Sequence, residues 1–369
     1  MKKILKKIHL YLALILCIPL VLQGLVGATL VFQKEISEVL LRQNHVFVQG
    51  EIQSPSALIA AAQQEIPEGF AVTLIKIPSE KNSPATIRFS RNGEKKLMLE
   101  ALLDPVSAQV LKIKNPESDF FRLIKKFHTS LFIPGENGKT AVGIFGLVML
   151  FMALSGVVLW WPKKGNLKRA LTFKFADQGK KFHRDLHGAA GFWFLLPLMV
   201  VSFAGVFLTF TPATSSVILS IFPGQDLRAS AAEIKVEKQE NSLALDEVVS
   251  LAKSAVATEE KLLSVSLPTK PTQPYRVNFA PKNYQDGEPA ITVFVDQFAQ
   301  KIIEKRDPNS YALGEKIIAW QHALHAGEGL GIVWKIAVFL IGFLPLLLSI
   351  TGIVLWLKKK QKKAQKMRK

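Results

Sequence analysis

The 369-residue sequence predicts a membrane α-helical protein: four transmembrane helices from a tandem duplication, with two extracytoplasmic α+β domains. Three observations carry this. Four stretches, 8–33, 140–162, 186–222 and 336–357, contain no Asp, Glu, Lys or Arg, and each suffices for the roughly 20 residues a helix needs to cross hydrocarbon. The segments starting at His9 and His187 carry the same residues at the same offsets: Pro19 and Pro197, Gly27 and Gly205, Phe32 and Phe210. Ser155-Gly156-Val157-Val158-Leu159-Trp160, followed by Lys163-Lys164, likewise matches Thr351-Gly352-Ile353-Val354-Leu355-Trp356 with Lys358-Lys359, each about 26 residues after His128 or His325. Finally, the net charge of +18 is confined to 1–9, 163–185 and 358–369, and the rest of the chain balances 27 basic against 27 acidic residues.

Taken in order, the first span is 8–33. Lys2, Lys3, Lys6 and Lys7 before an apolar run, with Val26-Gly27-Ala28 after it, also resemble a signal peptide. The run is too long for an h-region and is matched by an internal segment, so it is read as a helix that stays. Residues 34–127 form the first extracytoplasmic domain, with a helix over 56–65, strands near 71–78, 86–90 and 96–102, a turn at Asp104-Pro105 and a strand over 109–113. The second span, 140–162, leads to a basic loop, 163–185. The third, 188–211, ends at Thr211-Pro212, with 213–222 an interfacial turn. Residues 212–321 repeat the first domain: a helix over 243–256, then strands near 262–267, 275–280, 290–296 and 301–305. The fourth span, 332–357, precedes a basic tail, 358–369. Because basic residues collect on the cytoplasmic side, both termini and 163–185 are expected there. Basic residues that flank lipid spans are not a folded nucleic-acid face, so nucleic acid is excluded as a partner. The lone Cys17 permits neither an intramolecular disulfide nor a CxxCH haem attachment nor a cysteine-ligated iron–sulfur cluster, and Leu16 before it argues against a lipoprotein site.

Leu103-Asp104-Pro105 and Val295-Asp296-Gln297, each ending a strand in a turn, resemble PepSY domains. The surroundings of His9, and His128 with Leu131 and Trp160-Trp161-Pro162, resemble the PepSY-associated transmembrane family. So do Asp185-Leu186-His187-Gly188 with Gly191 and Leu196-Pro197, and Leu324-His325-Ala326-Gly327-Glu328 with Thr351-Gly352. The resemblance spans nearly the whole chain. It implies a multi-pass protein of the bacterial inner (cytoplasmic) membrane and, as in some members, b-type haem and reduction of ferric siderophores.

Six of the seven histidines lie at or near span ends. His9, His183 and His187 fall on the cytoplasmic side; His128, His322 and His325 fall on the other. Bis-imidazole ligation of haem iron needs one neutral nitrogen from each of two helices, and the duplication selects the pairs: His9 with His187, and His128 with His325. Two b-type haems, one near each leaflet, are the expectation. An interfacial histidine is often merely tolerated, and four at equivalent positions shift the balance toward ligation. His183 and His322, each about one turn from a chosen ligand, rank second as ligands, and His45 reads as a surface residue. Zinc is a weaker reading: His183 and His187 lack a glutamate between them and further ligands nearby. Gly24, Gly27, Gly188, Gly191 and Gly205 make room for helices or a porphyrin. Trp160, Trp161, Trp356, Trp320 and Trp334 read as interfacial anchors, and Arg122, Lys125 and Lys126 as the basic face of an interfacial helix.

Two haems in series would carry single electrons across the bilayer. No dinucleotide-binding fingerprint is present, so a cytoplasmic reductase or membrane quinol is the expected donor. The resemblance implies a ferric siderophore or other ferric chelate as acceptor, which makes the chain a haem-dependent ferric-chelate reductase. The competing expectation is a non-enzymatic PepSY membrane protein that binds or regulates an extracytoplasmic peptidase; a transporter ranks third because the spans hold no buried acid. The charge distribution makes the topology testable: reporter fusions at Lys369 and at Asn241 should report opposite sides of the membrane, and the same side for both would overturn the four-span reading.

Overall fold

The structure is a computed structural model of residues 1–369 that describes all but 43–46, 79–82, 92–93, 117–118, 163–166, 175–178 and 368–369. His45 and the Lys163-Lys164 pair therefore lie outside the described residues. In chain order, α1 (Lys2–Val31) leads through α2 (Gln33–Arg42) and α3 (Pro55–Gln63) to β1 (Phe70–Lys76), β2 (Ala85–Arg91), β3 (Glu94–Leu103) and β4 (Val110–Lys114). The short α4 (Phe120–Ser130) turns into α5 (Glu136–Trp160). After α6 (Leu167–Ala170) come α7 (Lys180–Trp193), α8 (Leu195–Thr209), α9 (Thr211–Ile221), α10 (Leu227–Glu233) and α11 (Leu245–Lys253). The strands β5 (Leu262–Ser266), β6 (Tyr275–Phe279), β7 (Ile291–Asp296) and β8 (Lys301–Arg306) precede α12 (Leu313–Ala326) and α13 (Gly331–Met367). The chain divides into two compact units. One comprises 1–33, 124–214 and 321–369; the other comprises 34–123 and 215–320.

In the first unit, α1, α5 and α13 are each long and apolar enough to cross a membrane. The segment expected as one helix over 188–211 is instead the pair α7 and α8, bent by 62°, which supplies a fourth span if the pair crosses as one. The break falls at Phe194. Pro197 favours it: proline has no N–H to offer the preceding turn, and its ring crowds the carbonyl of Trp193 in a continuous helix. Pro19 and Pro345 lie inside α1 and α13 without ending them. The interfacial turn expected over 213–222 is also corrected, to the helix α9. Pro212 sits in its first turn, where a missing N–H leaves no bond unmade.

Both α1 and the α7–α8 pair pack against α13 and α5. Small residues set the crossings. A Cβ on Gly24 would collide with the Gly342 carbonyl and the Pro345 ring, and one on Gly342 would lie 2.6 Å from the Ala28 Cβ. At the equivalent crossing of α5 with α8, a Cβ on Gly146 would lie 2.8 Å from Val206 Cγ2. Gly24 and Ser202 stand at the same offset from His9 and His187, and Gly146 and Gly342 at the same offset from Ser155 and Thr351. Each half of the chain therefore supplies one helix to each close crossing.

The second unit is a two-layer α+β structure. Its eight strands form one antiparallel sheet in the order β4-β3-β2-β1-β5-β6-β7-β8, with α3 and α11 packed on one face. Each half follows the helix-then-four-strand order read from its sequence, and the halves join edge to edge: Leu74 pairs with Ser266, Ile75 with Val265 and Lys76 with Ser264. That pairing removes two exposed strand edges, which would otherwise invite aggregation, and gives the halves a common core. Leu58, Ile75, Ile87 and Phe89 from one side and Val248, Val265, Phe279 and Ile291 from the other are all fully buried in one cluster. The two Asp turns are built alike. Asp104 Oδ1 accepts the N–H groups of Val106 and Ser107 at 2.9 and 3.0 Å, and Asp296 Oδ1 accepts those of Phe298 and Ala299 at the same distances. The second carboxylate oxygen of Asp104 also accepts the Val48 N–H at 2.9 Å, so backbone donors reach both oxygens of this fully buried acid.

A shared core predicts shared unfolding. Val265→Asp buries an unpaired carboxylate at the β1–β5 seam, a defect worth upwards of about 4 kcal/mol, and should make 34–123 and 215–320 protease-sensitive together. Persistence of an intact 34–123 fragment would show the halves to be independent domains.

Candidate functional site

Two of the histidines at matching places in the sequence repeat, His128 and His325, come together within the helical unit. His128 rides on the last turn of α4 and His325 on the last turn of α12. Each helix stops just beyond its histidine at left-handed residues, Leu131 (φ 53°) and Phe132 (φ 59°) in one copy and Gly327 (φ 78°) in the other, so the chain reverses into α5 and α13. The two rings face each other with centroids 5.9 Å apart and planes inclined by 38°. A glycine clears the space behind each: a Cβ on Gly27 would stand 3.1 Å from His128 Cε1, and one on Gly205 would stand 3.0 Å from His325 Cε1. The spacing from His9 to Gly27 is five turns at about 3.6 residues each, so both lie on one face of α1. That face presents a histidine at one end and a clearing for another histidine at the other.

Polar partners differ across this pair. His325 Nδ1 donates to the Val201 carbonyl at 2.9 Å. The backbone group at the equivalent place beside His128 belongs to Gln23, but the approach falls short of a hydrogen bond, and His128 Nδ1 is buried without a partner. The side-chain amide of Gln23 is also buried with neither atom bonded.

At the opposite end of α1, His9 Nδ1 lies 2.8 Å from Ser155 Oγ, and His187 Nδ1 lies 2.8 Å from Thr351 Oγ1. The next residue again leaves room: Cβ positions on Gly156 and Gly352 would stand 3.6 Å from Cε1 of His9 and His187 respectively. His9 and His187 lie in the same neighbourhood. His183, one turn before His187, is half-buried with its Nδ1 unpartnered and packs edge-on against Phe182 at 5.5 Å. His322 is exposed, unlike His325. Lys125 and Lys126 are exposed on α4, while Phe121 of the same helix is buried.

The donor set fits a metal held by two imidazoles. With metal–nitrogen bonds of about 2 Å, two rings on one ion have centroids about 6 Å apart, which the His128–His325 separation matches. Among the described residues, no group of three or more His, Cys, Asp or Glu is placed to hold a metal ion, so the sites offer two protein ligands and leave the remaining positions to another molecule. A planar macrocycle bound through two axial histidines has that demand.

Sequence reasoning named Ser155 and Thr351 only as landmarks of the repeat. The available signal was a small hydroxyl residue before glycine in both copies, within an otherwise apolar span. The glycines divide by role. Gly24, Gly27 and Gly205 make close approaches; Gly188 lies under the Trp160 indole; Gly191 meets only Leu348, at 3.9 Å from its Cβ position. Trp160, expected as an interfacial anchor, also stacks on Phe192 at 4.6 Å, and Trp334 Nε1 donates to the Leu324 carbonyl at 3.2 Å. Trp161 is 61% exposed.

The family described as the PepSY-associated TM region matches residues 6–359. No curated protein matches the chain.

The clearing behind His128 can be tested without any ligand. Gly27→Leu should lower the stability of the helical unit by about 1–3 kcal/mol through overpacking against the ring, read as an earlier thermal transition in detergent, while Gly191→Ala should change it little. Equal effects of the two would show that the Gly27 contact is incidental.

Proposed function

The chain belongs to the PepSY-associated transmembrane family, and from that premise we propose that it is a di-haem electron-transfer protein of the bacterial inner membrane that reduces a ferric chelate. The observation that carries this reading is the facing of His128 and His325 at 5.9 Å, with a glycine behind each ring. In this reading the duplication is one of four spans, α7 and α8 forming the third, and of two PepSY domains merged along the β1–β5 seam. Both termini lie in the cytoplasm and 34–127 and 212–321 outside it, as the confinement of the basic residues supports.

When bound, each b-type haem supplies a one-electron redox centre. His128 and His325 would hold the outer haem through their imidazole nitrogens, and His9 and His187 the inner one. Gly27, Gly205, Gly156 and Gly352 leave the rings unobstructed by neighbouring side chains. Electrons arrive from a cytoplasmic reductase or quinol, and the acceptor is a ferric siderophore or similar chelate outside. Reduction of the chelated iron releases it, because the less charged, softer Fe(II) is held less tightly by hard oxygen ligands. A peptidase-binding role for the extramembrane unit is the second reading, favoured by an open, largely apolar groove lined by Ile59, Phe70, Val72, Leu245 and Leu267.

Purified protein from haem-replete cells should show a low-spin b-type spectrum with close to two haems per chain. His187→Ala should remove one, His325→Ala the other, and His45→Ala neither. In sealed vesicles, chemically reduced protein should be reoxidised by a ferric chelate added on the side of 34–127, and His325→Ala should abolish this while His187→Ala leaves it intact. Colourless protein, or reoxidation indifferent to every ferric chelate and accompanied by tight peptidase binding, would establish the second reading instead.

A further inference from the structure

We propose that Ser155 and Thr351 are positioning residues that fix His9 and His187 in the tautomer able to ligate a metal through Nε2; this rests on the haem reading above. A hydroxyl has one hydrogen and can accept through its oxygen at the same time. Thr351 Oγ1 donates to the carbonyl of Leu347 at 2.8 Å, with that of Leu348 at 3.1 Å, and Ser155 Oγ donates to the carbonyl of Met152 at 3.2 Å. With that hydrogen given to the backbone, the oxygen presents only lone pairs to the imidazole 2.8 Å away. The ring must then carry its proton on Nδ1, and a neutral imidazole so protonated has its free lone pair on Nε2.

Three features mark this as more than helix packing. The hydroxyls are almost fully buried, at 4% exposure for Ser155 and 2% for Thr351, in helices whose other buried residues are apolar or glycine apart from Pro345. The arrangement is reproduced in both halves of the duplication, by Ser in one and Thr in the other, at the same distance. It is also confined to one pair: His325 uses a backbone carbonyl and His128 has no Nδ1 bond. The two sites thus differ in what orients their ligands, and side-chain substitution can disturb one without the other.

The test begins with protein prepared without haem and labelled with 15N-histidine. Nitrogen chemical shifts should show His9 and His187 protonated at Nδ1, and Ser155→Ala and Thr351→Val should each turn the corresponding ring into a mixture of tautomers. Haem titration in a His325→Ala background, where only the His9–His187 site remains, should then show about ten- to hundredfold weaker binding for either variant. Ser155→Thr and Thr351→Ser should restore it. Should Ser155→Ala not fold, the near-isosteric Thr351→Val reads the same property at the equivalent position. Unchanged tautomers, or affinity equally lost in the conservative variants, would reduce the hydroxyls to a packing role. Absence of haem binding in the unmodified protein would overturn the haem reading while the nitrogen shifts still decide the tautomer.

Discussion

The close crossings of α1 with α13 and of α5 with α8 are the constraint on which the helical unit depends. In lipid there is no hydrophobic gain from bringing two apolar helices together, so association relies on dispersion between backbones that approach closely. Gly24, Gly342 and Ala28 permit that approach at one crossing, and Gly146 with Val206 at the other. Because each crossing joins helices from different halves of the chain, α1 and the α7–α8 pair are held to common neighbours instead of packing chiefly on each other. A bulky residue at Gly24 or Gly342 would therefore act on the histidine geometry from a distance, by widening the frame that sets it.

The sheet-containing unit obeys a parallel logic with different physics. Its core rests on burial of apolar area, about 25 cal/mol for each Å² removed from solvent. Joined through β1 and β5, the two halves share one cluster reaching from Leu58 to Val295. Outside that cluster, the buried Arg306 is satisfied by the Glu304 carboxylate at 2.7 Å, Ser230 Oγ at 3.1 Å and the Leu227 carbonyl, with Phe294 beneath its guanidinium at 5.1 Å. A cation so thoroughly paired pins the α10 segment to the last strand.

Much of this architecture was legible in the sequence because it is written in periodicity. Charge-free runs located the long helices, and alternation of apolar with polar residues, such as Ala85, Ile87 and Phe89 against Thr86, Arg88 and Ser90, located the strands. Composition said less about where helices break. Pro19 and Pro197 are equivalent in sequence, yet only the latter accompanies a bend, so the difference is set by tertiary surroundings. The joining of the two halves into one sheet was equally hidden, because β1 and β5 carry no mark distinguishing a seam from an edge. For the site, the repeat suggested which histidines to pair, and His128 and His325 do lie with their rings 5.9 Å apart. It did not identify their hydrogen-bond partners. Hydroxyl residues are common in apolar helices, where they usually bond their own backbone, and only the three-dimensional approach of Ser155 to His9 and Thr351 to His187 gives them a second role.

The exchange of helices between halves also dictates an order of events during synthesis. The glycine face of α1 emerges first, but its partner on α13 lies some 300 residues later in the chain, and β1 must likewise wait for β5. Contacts so distant in sequence are slow to form and leave early segments unpaired. The first half must enter the bilayer as loosely associated helices, with its half-sheet exposed at a raw edge, until the second half is made. The polypeptide is thus most vulnerable to proteases and to pairing with other nascent chains midway through translation. A chain truncated after α8 would retain every residue of one crossing and still lack the other, leaving it a substrate for quality control rather than half of a working protein.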